Sequence, residues 1–159
     1  MTSELIIITS APDADQWLPG VRVIADAWRK QASLVGIHTA LSYARQPILI
    51  VAWDMPFVSR PLLELIAERS ARSPNATIPE SAPDQLEPFC ALYTPECLPV
   101  IEAQLAADDV RLSRLLELLP AFERIPVNDV ARVGDPARLF FNVNTAEDLA
   151  AAEQIAAKG

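Results

Sequence analysis

Only four glycines occur in 159 residues, at positions 20, 36, 134 and 159, where average usage would supply roughly eleven. No two are close in sequence. A glycine-rich phosphate cradle needs several backbone amides presented together, so neither G-x-G-x-x-G nor G-x-x-x-x-G-K-[ST] is present. Cysteine is scarce as well. Cys90 and Cys97 fit no zinc or redox spacing and are expected to be reduced, buried thiols. No apolar run approaches the roughly 18 residues that a bilayer span requires, and no basic segment precedes a long apolar stretch with a cleavage site. A cytoplasmic location without membrane contact is the expectation. Basic charge is also short: 13 Lys and Arg stand against 21 Asp and Glu, a formal net charge of −8. Without a basic stripe there is no counterion-releasing surface, which excludes nucleic acid as a partner. A single histidine, with no Ser-His-Asp order, Cys-His pairing or H-E-x-x-H, leaves the common hydrolase chemistries without their residues.

What is present is apolar and periodic. The 51% hydrophobic content rules out a disordered chain, and the length suits one domain over residues 1–159. Strands are predicted at residues 5–9, 21–25, 48–52, 122–127 and 139–143. The segment "SPNATIPESAPDQLEP" should give a short strand and an exposed loop, and "FCALYT" another strand. Helices are predicted from a cap at Ser33 to about residue 44, after a cap at Ser59, and over 95–107 and 112–119. A last one, over 146–157, opens with Thr145 and Asp148 in capping-box spacing. Strands separated by helical stretches indicate βαβ units and an α/β layer domain with a mostly parallel sheet.

In such a sheet ligands bind beyond the carboxyl ends of the strands. "ILIVAWDMPFVS" sets Asp54 just past a wholly apolar strand, with Pro56 restricting Met55 to extended geometry. Asp26 ends "VRVIA" in the same manner. Two carboxylates at one crevice would suit Mg2+ carrying a phosphate substrate, while each could equally cap the turn after its strand. Asn142 and Asn144 flank Val143, so in a strand both amides face one way. They could read a heterocycle or simply finish the turn before Thr145. His38, in mid-helix with no nucleophile beside it, reads as structural. Arg29 and Lys30 follow the Asp26 loop and could meet anions or stand as surface charges.

Taken together these residues resemble the molybdenum cofactor guanylyltransferases, within the MobA-like NTP transferase superfamily. "VIADAW" with "SLVGIHTAL" is similar to the family's V-x-D and P-L-x-G-I-x-x-A-L region. "ILIVAWDMPFVS" is similar to its strand ending in C-D-M-P-F, with Trp53 in place of cysteine. "EPFCALY" resembles x-P-L-x-A-L-Y, and "LFFNVNTAEDLAAAE" resembles F-x-N-[IV]-N-T-P-E-[DE]-L, with Ala146 in place of proline. The resemblance implies a Rossmann-like three-layer fold and transfer of GMP from GTP to Mo-molybdopterin, with Mg2+ as cofactor and release of pyrophosphate. It makes Asp54 the catalytic Mg2+ ligand, sets Asp26 and Asp54 in the nucleotide site, and turns Asn142 and Asn144 toward the pterin. Contact with molybdoenzymes or other cofactor-biosynthesis proteins is a further implication.

The family opens on a strand followed by L-A-G-G-x-S-x-R-M-G-x-D-K, and this sequence starts at what the resemblance makes the second strand. The first strand and phosphate loop are therefore expected to be missing, and Ala32 and Ser33 replace a usual Gly-Pro. Impaired transfer by these 159 residues is expected, since each lost donor costs roughly 10²–10³ in rate. Two other readings stay open: a non-catalytic relative that binds molybdopterin or a partner, and a transferase using CTP or a sugar phosphate.

Overall fold

A computed structural model describes residues 4–26, 32–72 and 75–157. In chain order its elements are β1 (Ile6–Ile8), β2 (Arg22–Ile24), α1 (Ser33–Ala44), β3 (Ile48–Val51), α2 (Arg60–Arg69), β4 (Ala76–Ala82), β5 (Gln85–Leu86) and β6 (Cys90–Tyr93). There follow α3 (Leu98–Ala106), α4 (Leu112–Leu118), β7 (Glu123–Ile125), α5 (Val127–Val130), α6 (Pro136–Leu139) and α7 (Ala146–Ala157). Among the described residues no helix is long and apolar enough to cross a membrane.

The larger sheet has the order β3-β6-β4, with β5 and β7 also paired to β4. β6 runs antiparallel to both β3 and β4, so those two point the same way. β5 is antiparallel to β4 and β7 parallel to it, so this sheet is mixed, which corrects the expectation of a mostly parallel one. Successive side chains of a strand alternate between faces, and β6 shows what that produces. Ala91 and Tyr93 join one apolar cluster with Leu34, Ile37 and Leu41 of α1, Ile101 of α3 and Leu115 of α4. Cys90 and Leu92 enter a second cluster with Leu62 and Ile66 of α2, Val130 and Leu139. Helices therefore cover both faces, giving the α/β three-layer architecture. Each fully buried Leu or Ile contributes about 1.5–3 kcal/mol to holding it.

β1 and β2 make a separate parallel pair, registered Ile6↔Arg22 to Ile8↔Ile24. Helix α1 packs on both β1 and β3, which belong to different sheets among the described residues. The helix ends because Arg45 turns left-handed at φ 52° and Pro47 cannot continue it. At α2, Ser59 accepts the Leu62 N–H at 3.4 Å, and Pro61 sits harmlessly in the first turn.

Three local expectations are corrected. Ser33 is the first residue of α1, not its cap; Ala32 precedes it and no side chain caps the helix. The proline-rich segment gives the expected strand and exposed turn, but the strand, β4, is the longest of the sheet and not a short one. Pro79 gives up only a donor while its carbonyl still accepts the Glu87 N–H at 2.8 Å. Residues 139–143 do not form a strand. Asp135 accepts the Ala137 N–H and starts the one-turn α6. Beyond it the backbone N–H groups of Phe141, Val143 and Asn144 bond to Arg138, Asp54 and Asp148 in place of a neighbouring strand.

Candidate functional site

Past Val51 the β3 pairing extends one residue, with Ala52 N–H donating to the Phe89 carbonyl at 2.8 Å. The chain then turns sharply: Met55 N–H donates back to the Ala52 carbonyl at 3.2 Å, and the Met55 side chain is buried. Asp54 rides on this turn. Its carbonyl accepts the Val143 N–H at 2.9 Å. Three residues on, the Phe57 ring meets Phe141 edge-on with centroids 6.1 Å apart, and the Arg138 guanidinium lies 5.3 Å above Phe57. A hydrogen bond, an aromatic contact and a cation–π contact thus bind the D-M-P-F turn to the F-N-V-N segment.

The two segments share a cavity of about 380 Å³, lined by Ser33, Ala52, Trp53, Asp54, Met55, Glu87, Phe89, Asn142 and Asn144. That volume lies within the usual range for small-molecule sites. Asp54 stands in it with Oδ1 buried and without a hydrogen-bond donor. Leaving a buried acceptor unmet costs roughly 1–3 kcal/mol, more for a charged group, and such an atom calls for a ligand. A hydrated cation would satisfy it. Among the described residues no three metal-ligating side chains cluster. A cation held by Asp54 would have few charged protein ligands and would keep several waters, as hard divalent cations can.

Asn142 donates from Nδ2 to the Phe140 carbonyl at 3.3 Å. Asn144 gives its backbone N–H to the Asp148 carboxylate at 3.0 Å, ahead of the Thr145–Asp148 capping box, which forms as predicted. Both asparagines reach the Asp54 cavity, though from an irregular segment and not from the alternation of a strand.

Glu87 and Phe89 were missed by sequence reasoning. Because β6 is antiparallel to β3, with Val51 opposite Cys90, residues just before β6 sit beside those just after β3. The signal was the "EPF" that opens "EPFCALY", legible only once the direction of that strand is known. Burial pushes the Glu87 carboxyl above its ordinary range, and a hydrogen bond with Ser81 opposes this.

Asp26 ends β2 and lies outside the Asp54 lining. It accepts the Ser10 hydroxyl at 3.3 Å and faces α1, where a Cβ on Gly36 would come 4.0 Å from its Oδ1. Ser33, one turn earlier on α1, does line the cavity. Arg29 and Lys30 lie outside the described residues. His38 is buried on α1 with Nε2 3.6 Å from Glu102 of α3, a position between helices. Cys90 and Cys97 are both buried and free. Burial raises their thiols to about 12 and about 11, so neither is an available nucleophile.

Comparison with known proteins places this geometry. Residues 1–125 match the family model of the MobA-like NTP transferase domain. A protein of Pelotomaculum thermopropionicum named "Probable molybdenum cofactor guanylyltransferase" is 30% identical over 152 residues, covering 95% of this chain and 73% of that protein. The molybdenum cofactor guanylyltransferase of Syntrophotalea carbinolica is 28% identical over 146 residues, covering 91% of this chain and 69% of its own length. Among solved structures, molybdopterin-guanine dinucleotide biosynthesis protein A from Archaeoglobus fulgidus superposes with a TM-score of 0.84 at 26% identity. The match covers 97% of this chain and 79% of that one.

Proposed function

We propose that this chain, which belongs to the MobA-like NTP transferase domain family, serves molybdenum cofactor guanylyltransfer. A phosphate oxygen of Mo-molybdopterin attacks the α-phosphorus of GTP, the bond to the bridging oxygen breaks, and its electron pair leaves with pyrophosphate. The protein's share of such a transfer is positioning and charge neutralisation. Mg2+ held at Asp54 would supply the latter at the phosphates. The bond from the Val143 N–H to the Asp54 carbonyl ties the backbone that carries Asp54 to the segment that carries Asn142 and Asn144, whose amides suit the hydrogen-bonding edge of the pterin. Asp26 would serve the nucleotide from farther along α1.

The observation that carries this reading is the buried, unpartnered Oδ1 of Asp54 in a cavity shared with both asparagines. The 159 residues hold no run of glycines able to wrap a triphosphate, so slow turnover is expected of them alone. That scarcity favours a second reading, in which the chain binds molybdopterin without transferring GMP.

Calorimetric titration with GTP in the presence and absence of Mg2+ tests the proposal. Metal-dependent binding by the wild-type chain should weaken about a hundredfold or more in Asp54→Asn, in line with loss of a charged phosphate-site group. Unchanged metal-dependent affinity in that variant would refute the role of Asp54. Molybdopterin binding without any GTP binding would select the second reading.

A further inference from the structure

The most exposed large apolar side chain among the described residues is Trp53, at 90%. It is also a lining residue of the Asp54 cavity, adjacent in sequence to the carboxylate and sharing the lining with Asn142, Asn144 and Phe89. Its backbone has little freedom, since the Ala52, Met55 and Val143 hydrogen bonds hold the chain on either side. An indole kept in water on a fixed turn, at the rim of a cavity rich in amide and carboxylate groups, is an incomplete binding surface. Its face is bare, and a planar ring laid on it would remove apolar area from water on both partners.

We infer that Trp53 is a stacking platform for the heterocycle of a substrate, with the Asn142 and Asn144 amides addressing the edge of the same ring. This rests on the guanylyltransfer reading. That reading supplies two rings of shared chemistry, guanine and pterin, each a fused bicycle in which one ring N–H lies between an oxo-bearing and an amino-bearing carbon. Stacking recognises the π-face that both possess, and amides can pair with either edge.

The test uses the whole chain, with wild type, Trp53→Ala, Trp53→Phe and Asp54→Asn. The probes are GMP, 6-hydroxymethylpterin and inorganic triphosphate, the last as a ringless control, followed by calorimetry and tryptophan fluorescence. Because the side chain is exposed, both Trp53 variants should melt with the wild type. Ring ligands should quench wild-type fluorescence, with that component absent in Trp53→Phe. Trp53→Ala should weaken the ring ligand about tenfold or more, and Trp53→Phe should restore most of the affinity, because a smaller aromatic still stacks. Triphosphate binding should not change in either. Dependence on Trp53 confined to GMP assigns the donor side, and dependence confined to the pterin assigns the acceptor side; each supports the platform. Equal ring affinity in wild type and Trp53→Ala overturns it, and leaves the guanylyltransfer reading standing if Asp54→Asn still abolishes metal-dependent GTP binding. Failure of the wild type to bind either ring overturns both.

Discussion

The two sheets hold their strands in different surroundings. In the larger one β6 is buried along its whole length and β4 over most of its own, because helices pack on both faces and pairing strands flank each edge. In the smaller one Ile6, Ile7 and Ile8 are as apolar as any stretch of the chain, yet all three stay partly exposed. Among the described residues β1 is paired with β2 alone, and α1 packs on it. The aspartates at the strand ends differ for another reason, since β3 is a terminal strand of its sheet and no better buried than β1. Asp54, past β3, has its carbonyl tied to Val143 and one carboxylate oxygen buried without a donor. Asp26 follows a strand of the small sheet and satisfies itself with the exposed Ser10 hydroxyl. Similar sequence patterns thus give one residue poised for a ligand and one that already has a partner. What docks beyond the end of the strand, here the segment carrying Phe141 and Val143, makes the distinction more than the strand's composition.

The largest effect expected from this contrast is on stability. Ile78→Ala, in the first cluster beneath β4, should cost about 2–5 kcal/mol through lost burial and the cavity left behind. Ile7→Ala on β1 should cost about 1 kcal/mol, the centre of the distribution for point mutants. Urea denaturation of the two variants measures both, and equal costs would erase the distinction between the sheets. Next comes ligand binding: beside the loss expected for Asp54→Asn, Asp26→Asn should change metal-dependent GTP affinity by less than about tenfold. A loss as deep as that of Asp54→Asn would place both carboxylates at one centre.

A smaller effect is expected at Glu87. Burial raises its carboxyl above the unfolded value, so its favourable contribution is complete below the ordinary carboxylate range and declines as pH rises through the folded value. Glu87→Gln stays neutral throughout. Its melting temperature should exceed that of the wild type at neutral pH and converge with it in acid; a lower value at neutral pH would contradict the cost of burying that charge. The smallest effect belongs to the entry of α7. Thr145→Ala removes the hydroxyl that accepts the Asp148 N–H at 3.1 Å and should cost about 1 kcal/mol. The Asn144 backbone N–H and the Thr145 hydroxyl hold the Asp148 carboxyl below its ordinary range. Its contribution is therefore present at neutral pH and lost only as pH falls through that depressed value. A melt of Thr145→Ala indistinguishable from wild type from neutral to acid pH would argue against the cap.

Much of this was legible in residues whose meaning is local. Apolar runs marked β1, β3 and β6; Ser59 and Thr145 announced helix starts. Local chemistry misled where a competing contact decided the outcome. The proline-rich segment was expected to hold only a short strand, but Pro79 is accommodated in β4, where its carbonyl accepts the Glu87 N–H. The apolar run before Asn142 looked like a strand, but its backbone donors are taken by the carbonyls of Asp135, Pro136 and Arg138.

The sequence by itself determined the alternation of apolar strands and helices and the placing of Asp26, Asp54 and the two asparagines after hydrophobic segments. These follow from side-chain periodicity and backbone preference within a few residues. Only the tertiary structure decided which of those groups share a cavity. It reversed β6, which brought Glu87 and Phe89 beside the end of β3, and it docked Phe141 on Phe57, which brought Asn142 and Asn144 to Asp54. The direction of a strand and the docking of a distant loop are set by burial and hydrogen bonding summed across the whole core, and no short window of residues carries that sum.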